Sequence, residues 1–390
     1  MYKVNLLNNI KSKRLEAFDS AKYEVSPEIE NPDALMLRSA KIHDMEFNPE
    51  LLCIARAGAG YNNIPIDRCA DEGIVVFNTP GANSGGVKEL AMCALFLTSR
   101  DIIGGINWVK TVVPEGDEIP ALVEKEKSKF GGIEILGKTI GVIGLGAIGA
   151  KIAEAALALG MDVLGYDPYI SDETAKHLFY KIRKADDLDT VYKESDFISI
   201  NVPYMEATKQ FINKETIAKM KPGVRIINAA RAELVNDDDL LAALESGQVY
   251  AYVTDFPNSK TAGAKGVIAI PHLGASTAES EDNCVSMGAD QIIEYIENGN
   301  IVNSVNIPCL SAPRIEGAPR LSIIHENKPE VISSIEGAVS KLGASIKNKA
   351  YASIEGKTAA YMILDIDKLA DGLIEAVQKI EGVKRARVIS

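Results

Sequence analysis

Residues 139–169 read TIGVIGLGAIGAKIAEAALALGMDVLGYDPY. An apolar run leads into a glycine cluster, an alanine-rich interval of helical period follows, and a second apolar run ends on Asp167. Gly144, Gly146 and Gly149 form G-x-G-x-x-G. In such a turn the first glycine permits the tight bend, the second lets backbone approach a pyrophosphate, and the third lets helix and strand pack closely. Alone the glycine spacing is weak; between a strand and a helix it predicts a dinucleotide site on Gly144, Gly146, Ala147, Ile148 and Gly149. Asp167, eighteen residues after Gly149, is placed to accept hydrogen bonds from a ribose 2′-hydroxyl and to repel a 2′-phosphate, so NAD is expected rather than NADP. A strand-end turn before Pro168 is the plainer role for that aspartate.

Working outward, a βα series runs from Gly137 to about His272, with strand candidates TIGVIGLG, MDVLGYDP, DFISINVP, VRIINAAR, YAYVTDF and GVIAIPH. Helical intervals separate them, among them DDDLLAALESG, where Asn236 and three aspartates favour a helix N-terminus. The pattern predicts an α/β fold with a doubly wound parallel sheet. A second βα series fills the first hundred residues through VNLL, ALML, LLCIARAG and GIVVFN, and 83–100 reads as a buried or interface helix. Between them TVVPEGDEIPALVEKEKSKFGG, charged and punctuated by Pro and Gly, reads as a loop or crossover.

Beyond the second series, a long helix is expected from a Ser276 or Thr277 cap to Gly299. IPCLSAPRIEGAP, with three prolines in thirteen residues, reads as a semi-rigid linker. After Arg320 the order βαββαβ is that of a ferredoxin-like domain.

Composition bounds the partners. The 390 residues are 46% hydrophobic and 25% charged, enough for two or three cores. A net charge of −12 disfavours nucleic acid and anionic membrane surfaces, and an anionic substrate then needs a locally basic pocket. Five cysteines without C-x-x-C spacing indicate neither a disulfide framework nor a metal site, and fit a reducing cytoplasm. No leader-like apolar segment opens the chain, and no apolar run approaches a membrane span.

Bound nicotinamide implies hydride transfer, which needs a group to take or give the hydroxyl proton. His272 follows the last strand of the series, where such sheets place ligands; His43, His177 and His325 lie in a turn, on an exposed helix and in the small domain. Arg231 ends a strand of the same sheet and suits a substrate carboxylate.

These residues resemble the D-isomer-specific 2-hydroxyacid dehydrogenases, and within them the branch acting on 3-phosphoglycerate. The likeness runs over nearly the whole chain: LRSAK (37–41), ARAGAGYNNIPID (55–67), FNTPGANSGGVKEL (77–90), the glycine motif, INAARAELVND (227–237), PHLGAST (271–277) and a tail similar to a regulatory ACT domain. The resemblance implies a substrate domain split over 1–98 and 273–304, an inserted NAD domain at 99–272, a linker at 305–319 and an ACT domain at 320–390. It further implies Arg231 and His272 as catalytic residues and cofactor contacts at Pro203, Ala230, Asp255 and Gly274. Substrate contacts are implied at Arg38, Ser39, Lys41, Ala57, Gly58 and Asn83, and effector contacts at His325 and Asn327. The implied reaction is oxidation of 3-phospho-D-glycerate to 3-phosphohydroxypyruvate, the first step of L-serine synthesis, by a homodimer or homotetramer. A hydroxypyruvate, glyoxylate or other 2-oxoacid reductase and a non-catalytic NAD sensor are the competing readings. Two departures stand out. Asn258 and Ser259 occupy the stretch where many relatives carry a glutamate that pairs with the histidine, which predicts a more loosely held imidazole, with a partner from outside 251–277 or a water. In the tail, Glu330 and Ser345 replace a glycine and an asparagine, which argues against L-serine as effector.

Overall fold

The computed structural model describes residues 1–8, 10–170 and 172–389. They form two compact units, one of residues 1–82 with 281–390 and one of residues 83–280.

The second unit is built on seven parallel strands: β6 (Thr139–Ile143), β7 (Asp162–Tyr166), β8 (Arg183–Lys184), β9 (Phe197–Ile200), β10 (Val224–Asn228), β11 (Val249–Thr254) and β12 (Val267–Ala269). Their order is β12-β11-β10-β9-β6-β7-β8. Because helices cover both faces, the central strands are mostly apolar, as parallel sheets require; β9 and β10 are buried at every position, with Ser199, Arg225 and Asn228 as their polar members. Two apolar layers result, one around Ile198, Ile226, Leu240 and Tyr252, the other around Ile140, Ile152, Phe197 and Val253. The helix Ser84–Ser99 joins the second layer through Ala91, Ala94 and Leu95.

The stretch 111–132, expected as a loop, is mostly helical: a 3-10 turn at Val113–Glu118, an α-helix at Ile119–Glu126 and another turn at Lys127–Phe130. The prolines that suggested breaks, Pro114 and Pro120, sit at the starts of these elements, where the missing N–H costs nothing. Lys127 and Lys129 pair locally with Glu124 and Glu126.

The first unit holds the parallel sheet β2-β1-β3-β4-β5, made of β1 (Tyr2–Leu6), β2 (Tyr23–Ser26), β3 (Ala34–Leu37), β4 (Cys53–Arg56) and β5 (Val75–Asn78). The helix Ala278–Asn298 lays Val285, Ala289, Ile292 and Ile296 on one face of this sheet. Thr277 caps it by accepting the Ser280 N–H at 3.1 Å, and Gly299 ends it with φ 71°.

The same unit carries β13 (Arg320–Glu326), β14 (Ile346–Ser353), β15 (Ala359–Ile366) and β16 (Val383–Ile389), antiparallel in the order β14-β15-β13-β16. With the helices Pro329–Lys341 and Leu373–Gln378 the chain order is βαββαβ, as the sequence pattern indicates. The proline-rich segment before it is packed: Leu310 pairs with Ile301, and Ala312 is buried. None of the described helices is long and apolar enough to cross a membrane.

Candidate active site

In the second unit the expected cofactor and catalytic residues share one edge of the sheet. Gly144 follows β6, Asp167 follows β7, Pro203 lies beyond β9, Ala230 and Arg231 follow β10, Asp255 follows β11 and His272 lies just past β12. This is the carboxyl edge, and strand order reverses between β6 and β9, where open α/β sheets bind their ligands.

The glycine turn fits a dinucleotide by steric accounting. Gly144 has φ +86°, and a Cβ there would lie 2.7 Å from the carbonyl oxygen of Asn201. A Cβ on Gly149 would sit 1.9 Å from the Gly144 oxygen, so the helix Ala147–Ala158 packs against the turn only through glycine. A Cβ on Gly146 would meet nothing within 4 Å, which leaves that side open for close approach of a pyrophosphate. The N-terminal amides of this helix have no side-chain cap, as suits an anion. The Asp167 carboxylate is tied to this turn, accepting the Leu145 N–H at 2.8 Å and the Tyr169 N–H at 2.8 Å. Both its oxygens retain lone pairs for ribose hydroxyls.

The Arg231 turn is fixed by the fully buried Asn228. The Asn228 amide oxygen accepts the N–H of Ala230 at 3.1 Å and of Arg231 at 3.3 Å, while its nitrogen donates to the Arg231 carbonyl and to Tyr252 Oη. The guanidinium therefore leaves the strand end from a rigid base, with Nη1 donating to the Ala230 carbonyl at 2.6 Å.

His272 is exposed and makes no hydrogen bond through its ring among the described residues. Its ring centroid lies 4.4 Å from that of Phe256, and the Arg231 guanidinium carbon lies 5.4 Å from the same ring. Asp255 is only 3% exposed, and its Oδ1 has no partner. Burial raises its carboxyl above the ordinary aspartate range, opposed by the His272 charge, the Gly274 N–H, its own N–H and the Arg231 charge. The segment after His272 is braced by the helix Ser84–Ser99: a Cβ on Gly86 would lie 2.8 Å from the Gly274 oxygen. Asn83 precedes that helix with its Oδ1 buried and unpartnered, and Lys151 reaches Ser84 Oγ at 2.7 Å.

The remaining expected contacts belong to the first unit. The N–H groups of Arg38, Ser39 and Ala40 converge on Asn8 Oδ1 at 3.1, 3.1 and 2.9 Å. Arg38 forms an ion pair with Glu281 at 2.5 Å, and Gly58 donates its N–H to Thr79 Oγ1. Ala57 is buried, and no ion pair involves Lys41 among the described residues. In the C-terminal sheet His325 is fully buried, with Nδ1 2.7 Å from the Glu326 carbonyl and Nε2 unpartnered, while Asn327 Oδ1 accepts from Tyr351 Oη.

Sequence reasoning did not single out Phe256, Asn228 or Asn8, nor the pairing of Glu281 with Arg38. Phe256 adjoins Asp255 and Asn228 lies three residues before Arg231, so adjacency to the named residues was the only available signal. Nothing in the sequence points to Asn8.

Comparison with known proteins places the chain in a family. Residues 97–274 match the D-isomer specific 2-hydroxyacid dehydrogenase NAD binding domain. The chain is 40% identical over 270 residues to a hydroxypyruvate reductase of Thermotoga maritima, an alignment covering 66% of this chain and 82% of the other. It is 31% identical over 365 residues to the D-3-phosphoglycerate dehydrogenase of Bacillus subtilis, covering 88% of this chain and 67% of that one. The NAD+-bound crystal structure of 3-phosphoglycerate dehydrogenase from Entamoeba histolytica superposes with a TM-score of 0.60 at 26% identity, over 78% of this chain and 98% of that one. The chain belongs to the D-isomer-specific 2-hydroxyacid dehydrogenase family and is an NAD-dependent oxidoreductase of that family.

Proposed function

We propose that the protein is a D-3-phosphoglycerate dehydrogenase, which oxidises 3-phospho-D-glycerate to 3-phosphohydroxypyruvate, with 320–390 as an ACT regulatory domain after a substrate domain split over 1–98 and 273–304. The observation that carries the chemistry is the placing of Arg231 and His272 against one aromatic ring at the carboxyl edge of the NAD-binding sheet. Arg231 holds the substrate carboxylate through its planar donor fork and polarises the carbonyl oxygen. His272 takes the hydroxyl proton in oxidation and returns it in reduction. The G-x-G-x-x-G turn, with Asp167, seats the cofactor, and Pro203, Ala230, Asp255 and Gly274 line its nicotinamide side. Bound NAD supplies the hydride acceptor. To Arg38, Ser39, Lys41, Ala57, Gly58 and Asn83 we assign the anionic groups of the substrate.

The phosphorylated substrate is favoured by the similarity to the Bacillus protein over 88% of this chain. A second reading, reduction of hydroxypyruvate or a related 2-oxoacid, is favoured by the 40% identity to the Thermotoga protein. Rates on 3-phosphoglycerate with NAD, set against rates on hydroxypyruvate and glyoxylate with NADH, separate the two. The expected result is a kcat/KM ratio favouring the phosphorylated pair; preference for unphosphorylated oxoacids reverses the assignment. His272→Ala is expected to abolish turnover with NAD affinity intact, and near-normal kcat in that variant overturns the role of the histidine.

A further inference from the structure

Of the groups near His272 in sequence, Asn258 and Glu281 are committed elsewhere, and no described side chain hydrogen-bonds the imidazole. Asn258 Nδ2 donates to Asp237 Oδ2 at 2.8 Å, and its Oδ1 accepts from the N–H groups of Lys260 and Thr261. Glu281, on the helix that follows His272, is bound to Arg38. Glu279 of the same helix makes no ion pair or hydrogen bond among the described residues. Asp255, just past β11, interacts electrostatically with both His272 and Arg231.

What does touch the ring is Phe256. Its position is set at the end of β11, where its N–H donates to Thr254 Oγ1 at 3.0 Å, and the side chain is half-buried. The imidazole packs on one side at 4.4 Å between centroids and 48° between planes, and the guanidinium of Arg231 lies 5.4 Å from the same centroid. The negative face of a phenyl ring attracts both a guanidinium and an imidazolium, and its rigid edge limits where either can swing.

We propose that Phe256 is a positioning residue for the reaction, holding His272 and Arg231 at a fixed spacing in place of a hydrogen-bonded carboxylate. This rests on the roles given above to Arg231 and His272. Loss of the ring frees both side chains at once, so the proton carrier and the carboxylate anchor lose register together. No covalent step is added; the ring acts through the two groups it contacts.

The test compares Phe256→Leu, which keeps apolar bulk without the π face, with Phe256→Tyr, which keeps the face, both as the full chain. In Phe256→Leu, kcat is expected to fall roughly ten- to a hundredfold from loss of orientation. KM for the 2-hydroxyacid is expected to rise as well, because the carboxylate anchor Arg231 loses the same ring. Phe256→Tyr is expected to restore both, and NAD affinity measured by fluorescence titration to stay unchanged throughout. Wild-type kcat and KM in Phe256→Leu overturn the proposal. So does a loss of kcat that tyrosine fails to rescue, or one accompanied by weaker NAD binding, which marks a merely structural ring. Turnover persisting in His272→Ala is a separate outcome, and it removes the underlying reading of the site rather than the contact.

Discussion

Replacing Arg320 with methionine removes the most heavily engaged cation in the first unit. Arg320 is fully buried and forms a two-point pair with Asp365, Nε to Oδ1 at 2.7 Å and Nη2 to Oδ2 at 3.0 Å. Its other protons serve the backbone carbonyls of Asn298 and Ala312, each at 2.9 Å, and Pro313 at 2.7 Å. After substitution Asp365, itself 1% exposed, keeps only the Asn348 amide at 3.2 Å among the described residues. Breaking a buried pair by removing one member costs about 3–5 kcal/mol, because the other charge is left uncompensated. Against a stability of about 5–15 kcal/mol this is a large share, and at about 2–4 °C per kcal/mol it lowers the melting temperature by roughly 10 °C. The double variant Arg320→Met with Asp365→Leu removes the stranded charge and leaves the three carbonyls and the part-buried Asn348 amide without these partners. It is expected to recover all but about 2 kcal/mol. Urea unfolding followed by circular dichroism measures both. A single variant costing under about 1 kcal/mol, or a double variant no better than the single, refutes the account.

Two further outcomes follow from local geometry. Burial holds the imidazole of His325 below its ordinary value of 6.5, so the unfolded chain takes up its proton first; the stability this group contributes is present above about pH 6.5 and is lost as pH falls from there through the folded value. His325→Asn is expected to flatten the fall in urea midpoint between about pH 7.5 and pH 5.5, and slopes equal to wild type contradict this. Gly149→Ala places a Cβ 1.9 Å from a backbone oxygen, so the turn must open; NAD affinity by calorimetry is expected to fall at least about a hundredfold, whereas Gly85→Ala, which meets nothing within 4 Å, leaves it unchanged. Equal NAD affinity in the two variants removes the steric argument.

The two parallel sheets are legible because strands buried on both faces are mostly apolar, so runs such as ALML and VVF stand out without any contact information. The glycine motif is legible for a related reason, since Gly144 and Gly149 answer steric demands that no other residue meets. Residues 113–130 are not, because proline is read as a breaker when it equally well starts a helix, and Pro114 and Pro120 do so. Long-range polar pairings also escape a linear reading. Nothing near Arg320 in sequence announces Asp365, and three adjacent amides meeting on Asn8 follow only from the backbone path. At the candidate site the missing carboxylate could be read, but the ring that contacts His272 could not, because stacking depends on how the segment after β11 turns.

The C-terminal end of the helix Ala278–Asn298 shows why the antiparallel sheet belongs to the same compact unit as the first 82 residues. A helix leaves its last carbonyls without intrahelical donors, and burying such an end requires outside partners. Here Arg387 serves the carbonyls of Tyr295 and Ile296, Arg314 that of Glu297 at 3.1 Å, Arg320 that of Asn298 at 2.9 Å, and the Tyr361 hydroxyl that of Gly299 at 2.5 Å. All four side chains come from residues 314–387, and the three arginines also oppose the negative end of the helix dipole. The donors are themselves fixed: Arg320 by Asp365, Arg314 by the Ile389 carbonyl at 3.2 Å, and Arg387 by packing 4.3 Å over the Tyr295 ring. Hydrogen bonds of this kind hold only in one register, unlike apolar contact, which tolerates sliding. The proline-rich segment therefore joins parts that are already locked together, and the C-terminal sheet is an obligatory cap for the helix that starts at Ala278, directly beyond the loop of His272.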